Sequence, residues 1–178
     1  MKERSDSQLV EAAARGDADS FTELCGRYYP AMVAIAHSVI GDRHLGEDAA
    51  QQAFAKAAVS LPRLRQTEKF GGWLAAICRN AAKDVAHSRR QIPDGFERES
   101  VRTEAGRDED AEAVRAAMEK LSDVGREVIY LRFYDGLSYD RISAVLGISE
   151  QAINGRLRRA KRKLAGHLRR AGFGEVRL

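Results

Sequence analysis

Apolar residues along this chain recur at steps of three and four, the spacing that brings side chains onto one face of a helix. No segment alternates apolar and polar residues as a half-buried strand would. In the first half the spacing predicts four helices, at about 9–13 (ended by Gly16), 19–41 (capped by Asp19 or Ser20), 44–60 and 70–90. Pro30 should kink or divide the second helix, because an interior proline removes a backbone hydrogen bond.

The fourth predicted helix has an apolar face and a basic face. The apolar face comprises Phe70, Trp73, Leu74, Ile77, Ala81 and Val85. The basic residues Arg79, Lys83, His87 and Arg90 follow one another at steps of four, four and three. Arg63, Arg65, Lys69 and Arg89 add further charges on or beside the preceding loop. A basic helix face alone is more often simply solvated, but this combination favours a nucleic-acid surface.

In the second half, two short helices joined by a tight turn are predicted within residues 136–164. Ser138 and Ser149 suit the N-caps of these helices, and Gly147 suits the left-handed residue that ends the first. Further helices, from about Asp110 and from Ser122, lead into them. This order is that of a helix-turn-helix, whose second helix can lie in the DNA major groove.

The second helix of this motif is strongly basic. Its inward stripe comprises Ile153, Leu157, Ala160 and Leu164, whereas Gln151, Asn154, Arg158 and Lys161 share another face, flanked by Arg156, Arg159, Arg162 and Lys163. Eight basic residues and no acidic one lie between Arg156 and Arg170. An ordinary solvated face would mix the two signs of charge, so DNA is the favoured ligand.

The distribution of charge divides the chain more clearly than its net charge of +4 does. Residues 1–90 carry a net +2, residues 91–112 a net −5 and residues 113–178 a net +7. The middle segment has almost no apolar content and cannot bury enough surface to fold alone. We therefore predict an all-α protein with two small helical domains, 1–90 and 113–178, joined by a flexible acidic linker at 91–112.

Candidate chemistry adds little to this picture. The two cysteines, Cys25 and Cys78, are far apart, and the four histidines are scattered, so no metal site is indicated. Phosphate-loop, zinc-protease and serine-hydrolase motifs are all missing. The longest apolar run, 31–36, is far too short to span a bilayer, and no hydrophobic signal core begins the chain. We expect a cytoplasmic protein that is not an enzyme and has no cofactor, metal or small-molecule substrate.

Four segments together carry a family likeness. They are Phe21–Leu24 with Tyr28–Pro30, Glu47–Phe54, Trp73–Asn80 with Asp84, and Leu131–Ala160. A helix-turn-helix alone is weakly specific, but the pattern W-L-x-x-I-x-R-N-x-x-x-D ahead of it is strongly so. In these segments the chain resembles an extracytoplasmic-function sigma factor, a small member of the sigma-70 family of bacterial transcription initiation factors.

The resemblance implies roles for residues 1–90 as the second sigma domain. Asp48, Gln51 and Gln52 would bind the clamp helices of core RNA polymerase. Loop 64–69 would capture a flipped promoter base, while the helix after it holds the adjoining strand and helps to melt the −10 element. The implied −10 contacts are Arg63, Arg65, Lys69, Trp73, Arg79, Asn80, Lys83, His87 and Arg90.

Residues 113–178 would be the fourth sigma domain, which reads the −35 element and meets the polymerase flap. The implied −35 contacts are Glu150, Gln151, Asn154, Gly155, Arg156, Arg158, Arg159, Lys161 and Arg162. The linker would occupy the polymerase channel near the RNA exit. The resemblance further implies an anti-sigma factor as a partner, which can be membrane-bound.

The chain departs from the usual family pattern at several positions. Gly71-Gly72 stand where a larger polar pair is usual, and Arg141 replaces a usual glutamate. Asn154 and Gly155 stand where lysine and serine are common, which leaves the promoter sequence open. Two other functions also remain open at this point: a stand-alone helix-turn-helix regulator, and a sigma mimic that sequesters an anti-sigma factor.

Overall fold

In the computed structural model, residues 4–91 and 109–174 are described, without the side chains of 90, 91 and 109. The helices are α1 Asp6–Ala14, α2 Ala18–Ile40, α3 Arg43–Ser60, α4 Phe70–Gln91, α5 Glu109–Glu119, α6 Asp123–Ile129, α7 Tyr139–Leu146 and α8 Glu150–Arg170. Short 3-10 turns, Leu61–Arg63 and Thr67–Lys69, precede α4, and a π-helical turn, Tyr130–Tyr134, follows α6. Every regular element in these ranges is helical, so the prediction of an all-α fold is confirmed. Most of the predicted acidic linker, 92–108, lies outside the described residues.

Side chains at the helix ends explain where most helices begin and stop. Ser138 and Ser149 accept hydrogen bonds from the backbone amides of Arg141 and Ala152, both at 3.3 Å, as N-caps do. Gly147 ends α7 with a φ of 65°, a left-handed conformation that favours glycine. The cap expected for α2 was wrong: Asp17 takes that place, because its carboxylate accepts the first free amides.

Pro30 does not divide α2, which runs unbroken from Ala18 to Ile40. The proline lies on the exposed side of the helix, so its missing hydrogen bond falls where water can reach the backbone. The next eight residues, 31–38, are all buried. Packing on all sides of these two turns keeps the helix continuous after the proline.

Helices α1–α4 form an N-terminal bundle around α2. Its largest fully buried side chains include Leu9, Leu24, Met32, Ile35, Phe70 and Leu74. Helix α3 approaches α2 closely because it presents small residues, including Gly46, where an added Cβ would lie 3.1 Å from the His37 backbone nitrogen. Cys78 is buried here, its thiol donates to the Met32 carbonyl at 3.2 Å, and burial raises its pKa to about 12. That thiol is therefore a packing group.

Helices α5–α8 form a C-terminal bundle around the apolar stripe of α8. The stripe comprises Ile153, Leu157, Ala160, Leu164 and Leu168, all buried, as the spacing predicts for the first four. Leu131, Ile142 and Val145 face it from the π turn and α7. Within the described residues, no helix is long and apolar enough to cross a membrane, and no cluster of ligating side chains could hold a metal ion.

The two bundles contact each other through α4 with α7 and through α2 with α6 and the π turn. His37 of α2 is buried in this contact, with its ring 4.6 Å from Tyr130 and 4.9 Å from Tyr134 between ring centroids, edge to face. Its Nδ1 has no hydrogen-bond partner among the described residues. Burial and then the Arg43 charge lower the pKa of His37, against a smaller opposing effect of Asp42.

We expect this histidine to make folding weaker in mild acid. Because its folded pKa lies below the unfolded value of about 6.5, the unfolded chain takes up the proton first as pH falls. The free energy of unfolding should therefore decrease below about pH 6.5. Thermal melting of wild type and His37→Phe at neutral and mildly acidic pH measures this. The variant keeps the ring contacts but cannot titrate, so an equal loss in both proteins would contradict the assignment to His37.

Candidate nucleic-acid interface

Helix α8 presents a basic surface to solvent, as the sequence predicts. Arg158, Arg159 and Arg162 are exposed, and so are Glu150, Gln151 and Asn154 in the first turns. Gly155 is half-buried, yet there is space beside it. A Cβ added at this position would contact only the Arg159 guanidinium, at 3.5 Å. The first turns of α8 are therefore open to a bulky polar ligand such as a DNA groove.

Two other predicted residues of α8 are placed differently. The Lys161 ammonium lies 4.8 Å from the centre of the Phe133 ring, a cation–π contact within the C-terminal bundle. Arg156 is half-buried and lines a cleft between the bundles. At the start of α8, a hydrogen bond with Asp140 raises the pKa of Glu150.

A second basic surface surrounds the loop before α4. Arg63, Arg65 and Lys69 are exposed and line an open cavity of about 900 Å³ together with the half-buried Trp73. The Trp73 ring packs on Phe70, with 5.8 Å between ring centroids, which fixes one wall of this cavity. Ser143 and Ala144 of α7 also line this cavity. An aromatic wall beside cationic side chains is the arrangement that stacks and holds an unpaired base.

The basic face of α4 continues this surface into the cleft between the bundles. Arg79, Lys83 and His87 line that cleft, whose volume is about 750 Å³, and Asn80 is exposed beside it. Arg79 does not point to open solvent: its Nε and Nη2 both donate to Oε1 of Glu127, at 3.0 and 2.7 Å. The Arg90 side chain lies outside the described residues.

A third surface, on α3, is polar rather than basic. Asp48, Gln51 and Gln52 are exposed at helical steps of three and four, so they share one face. Val59 continues that face and is 83% exposed. One exposed apolar side chain does not by itself mark a contact surface, so the polar character of this face is what separates it from the two basic surfaces.

Sequence reasoning did not identify the residues that hold the bundles together. Glu127 lies 48 positions from its partner Arg79, and no local pattern links them. Arg141 lies over the Tyr28 ring at 5.9 Å and places Nη1 3.9 Å from Oδ2 of Asp6. For these contacts between the bundles, the sequence contained only two signals: Arg141 and Gly71 both depart from the usual family pattern.

Comparison with known proteins identifies the family. Models of sigma-70 region 2 and sigma-70 region 4 match residues 24–92 and 111–164. The RNA polymerase sigma-H factor of Pseudomonas aeruginosa is 30% identical, over 90% of this chain and 92% of its own length. The extracytoplasmic-function sigma factor SigW of Bacillus subtilis is 27% identical, over 90% of this chain and 95% of its own length.

Two solved structures share the fold. CnrH, in complex with the cytosolic domain of CnrY, aligns with a TM-score of 0.61 at 29% identity, over 92% of this chain and 96% of that one. The sigma factor RpoE of Bartonella quintana, in complex with the anti-sigma factor NepR, aligns with a TM-score of 0.55 at 27% identity, over 85% and 98%. The chain belongs to the sigma-70 family of RNA polymerase sigma factors, in its extracytoplasmic-function group.

Proposed function

We propose that this protein binds core RNA polymerase and directs initiation at promoters that it reads at the −35 and −10 elements. The observation that carries the proposal is the presence of two separate basic surfaces, on α8 and around 63–87, in two bundles of one chain. One DNA-binding surface would suffice for a stand-alone regulator. Residues 1–90 and 113–178 are the two proposed functional domains, with 91–112 as the linker.

The −35 element is read by α8 in the major groove. Its exposed arginines supply contacts to phosphates and to guanine edges, and Gln151 and Asn154 can pair with adenine. Gly155 lets the helix backbone approach the bases. Lys161 has to leave Phe133 to take part, so we expect it to contribute less than Arg158 or Arg159.

The −10 element is read and opened by the loop and α4. Extruding a base costs a few kcal/mol, which stacking on Trp73 and contacts from Arg63, Arg65 and Lys69 can offset. Asn80, Lys83, His87 and Arg90 then follow the displaced strand along α4. Arg79 joins them once its bond to Glu127 is broken.

Partners of the protein complete this function. The α3 face of Asp48, Gln51, Gln52 and Val59 contacts the clamp helices of core polymerase, and the C-terminal domain contacts the flap. The solved relatives bound to a cytosolic CnrY domain and to the anti-sigma factor NepR support an anti-sigma factor as inhibitor here. Such a partner can be membrane-bound.

Transcription in vitro tests the proposal. Purified core polymerase with this protein should start transcripts from fragmented genomic DNA of the source organism at sites that share −35 and −10 sequences. Core polymerase alone should not start at these sites. DNA binding without any binding to core polymerase would indicate a stand-alone regulator. Binding only to an anti-sigma factor would indicate a sequestering mimic.

A further inference from the structure

The last turns of α8 carry cations that the proposed reading of the −35 element does not use. Lys163, His167 and Arg170 follow one another at steps of four and three, so they share one face of the helix. At about 100° per residue, Lys163 is turned about 140° away from Arg158, and Arg170 lies about 18 Å beyond Arg158 along the axis. A DNA groove that Arg158 enters therefore does not face these three side chains.

These cations surround an open cavity of about 620 Å³. One side of the cavity comes from α8, and the other comes from Lys120, the residue directly after α5. Apart from Gly166, every described residue that lines it is basic. The basic residues form a cation cluster that consists of Lys120, Lys163, His167, Arg169 and Arg170. A ligand in this cavity would contact two elements of the C-terminal bundle at once.

The cation cluster has no counter-charge of its own among the described residues. No carboxylate from these residues lines the cavity, and none of the five side chains forms an ion pair with them. Like charges at this spacing repel one another. Desolvation and then the charges of Arg170, Lys120 and Lys163 lower the pKa of His167. An anion in the cavity would supply the missing negative charge.

The contact between Arg170 and His167 adds a hydrogen-bond donor to the cluster. Nη2 of Arg170 lies 2.8 Å from Nδ1 of His167. A guanidinium can only donate, so Nδ1 accepts this bond and the neutral ring carries its proton on Nε2. The Nε2–H group has no partner within the described part of the chain. The cluster therefore presents only donors to a ligand.

The helix dipole explains only part of this arrangement. Cations in the last turn of a helix are stabilised by the dipole and by the free carbonyls there, and three members of the cluster stand in that turn of α8. Lys163, however, lies about two turns before the end of α8. Lys120 belongs to a different element. Their convergence on one cavity requires another reason, which a bound anion provides.

The lining of the cavity indicates the chemistry of the ligand. Apart from the imidazole, no aromatic or apolar side chain of the described residues lines it, so nothing there stacks a nucleobase or forms the apolar centre of a protein interface. Guanidinium and ammonium groups bind phosphate oxygens through charge-assisted hydrogen bonds. A Cβ added at Gly166 would meet nothing within 4 Å, so this glycine leaves room for a compact anion beside the helix.

We propose that the cation cluster binds a condensed phosphate, a short chain of linked phosphate groups, which bridges the end of α5 and the last turns of α8. The proposal goes beyond promoter reading and does not depend on it. Because the ligand binds the folded bundle and removes the repulsion among the cations, it stabilises the C-terminal bundle when it is bound.

Calorimetric titration of the full chain with inorganic tripolyphosphate tests the proposal. Gly166→Glu places a carboxylate among the cations and should weaken binding at least about tenfold, which is about 1.4 kcal/mol. Gly155→Glu is the matched control, since it adds the same charge to the same helix, also at a position with space for a side chain. It lies about 16 Å away, so screening should keep its effect below about twofold. Equal losses in both variants would overturn the proposal.

A second pair of variants tests whether the site includes the residue after α5. Lys120→Gln should weaken tripolyphosphate binding about threefold. Arg115→Gln removes the same charge from an exposed position of α5 outside the cluster and should leave the affinity unchanged. If Gly166→Glu loses helical content by circular dichroism, this pair decides: an unchanged affinity in Lys120→Gln overturns the proposal.

Other anions test the class of ligand. Orthophosphate should bind at least about tenfold more weakly than tripolyphosphate, because it cannot reach both sides of the cluster. At an equal concentration of negative charge, polyglutamate and a single-stranded oligonucleotide of random sequence should displace tripolyphosphate less well than a longer inorganic polyphosphate does. Better displacement by polyglutamate would assign the cluster to an acidic protein, and better displacement by the oligonucleotide would assign it to nucleic acid. Either result, or wild type that does not bind tripolyphosphate, overturns the proposal.

Discussion

Replacing Arg158 and Arg159 with glutamate should reduce promoter-dependent transcription by roughly a hundredfold or more. Both side chains are exposed on α8. An arginine contact to a base contributes about 1–3 kcal/mol, so two lost contacts correspond to about two powers of ten in affinity. The reversed charges also repel the phosphates. The measurement is the transcript yield from a mapped promoter with saturating core polymerase, together with promoter affinity at several salt concentrations.

The matched control is reversal of Arg169 and Arg170, which changes the net charge by the same amount on the same helix. These residues are also exposed, and at 1.5 Å per residue they lie about 16 Å further along α8. We expect a small, salt-dependent loss from this control. An equal loss in both variants would mean that α8 acts as a general positive charge and not through specific contacts. Core binding should persist in both.

Replacing Phe70 with alanine should remove about 3–5 kcal/mol of stability, the usual range for a buried phenylalanine. Phe70 is 1% exposed, and its ring lies 5.3 Å from that of Tyr28 and 5.8 Å from that of Trp73. The loss is a large part of the about 5–15 kcal/mol typical of folded domains. Urea denaturation measures it. Because Phe70 supports Trp73, initiation at the −10 element should fail even at temperatures where the variant stays folded.

Val59→Ala is the control for the urea denaturation of Phe70→Ala, because it shortens an apolar side chain that is 83% exposed. It should change the free energy of unfolding by less than about 0.5 kcal/mol. Under the proposed function it should instead weaken binding to core polymerase. If Phe70→Ala lowers the free energy of unfolding by less than about 1 kcal/mol, the prediction is wrong, and the surrounding core has collapsed into the space of the deleted ring.

The parts of this structure that local chemistry determines could be predicted from the sequence. The serine caps of α7 and α8, Gly147 and the inward stripe of α8 all depend on residues within a turn or two of one another. The exposed basic residues of α8 follow from the same stripe, because a helix that buries one face exposes the other. The cap of α2 was missed because Asp17, Asp19 and Ser20 are all suitable caps.

The contacts between distant residues could not be predicted in this way. The bond of Arg79 to Glu127 and the approach of Ala144 to Gly71 join positions that only the packed helices bring together. The π turn had no local signal either. Lys161 was placed on the DNA face by spacing alone, and its position over Phe133 depends on where that turn aims an aromatic ring.

The π-helical turn Tyr130–Tyr134 also bears on how the length of this chain can vary among relatives. A π turn holds one residue more than an α turn, so deletion of one residue would restore α geometry and leave the chain that follows in nearly the same orientation. The extra residue lets this turn place Tyr134 against His37 and Phe133 against Lys161. We therefore expect a relative that is one residue shorter here to keep the C-terminal bundle and to lose one of these two contacts.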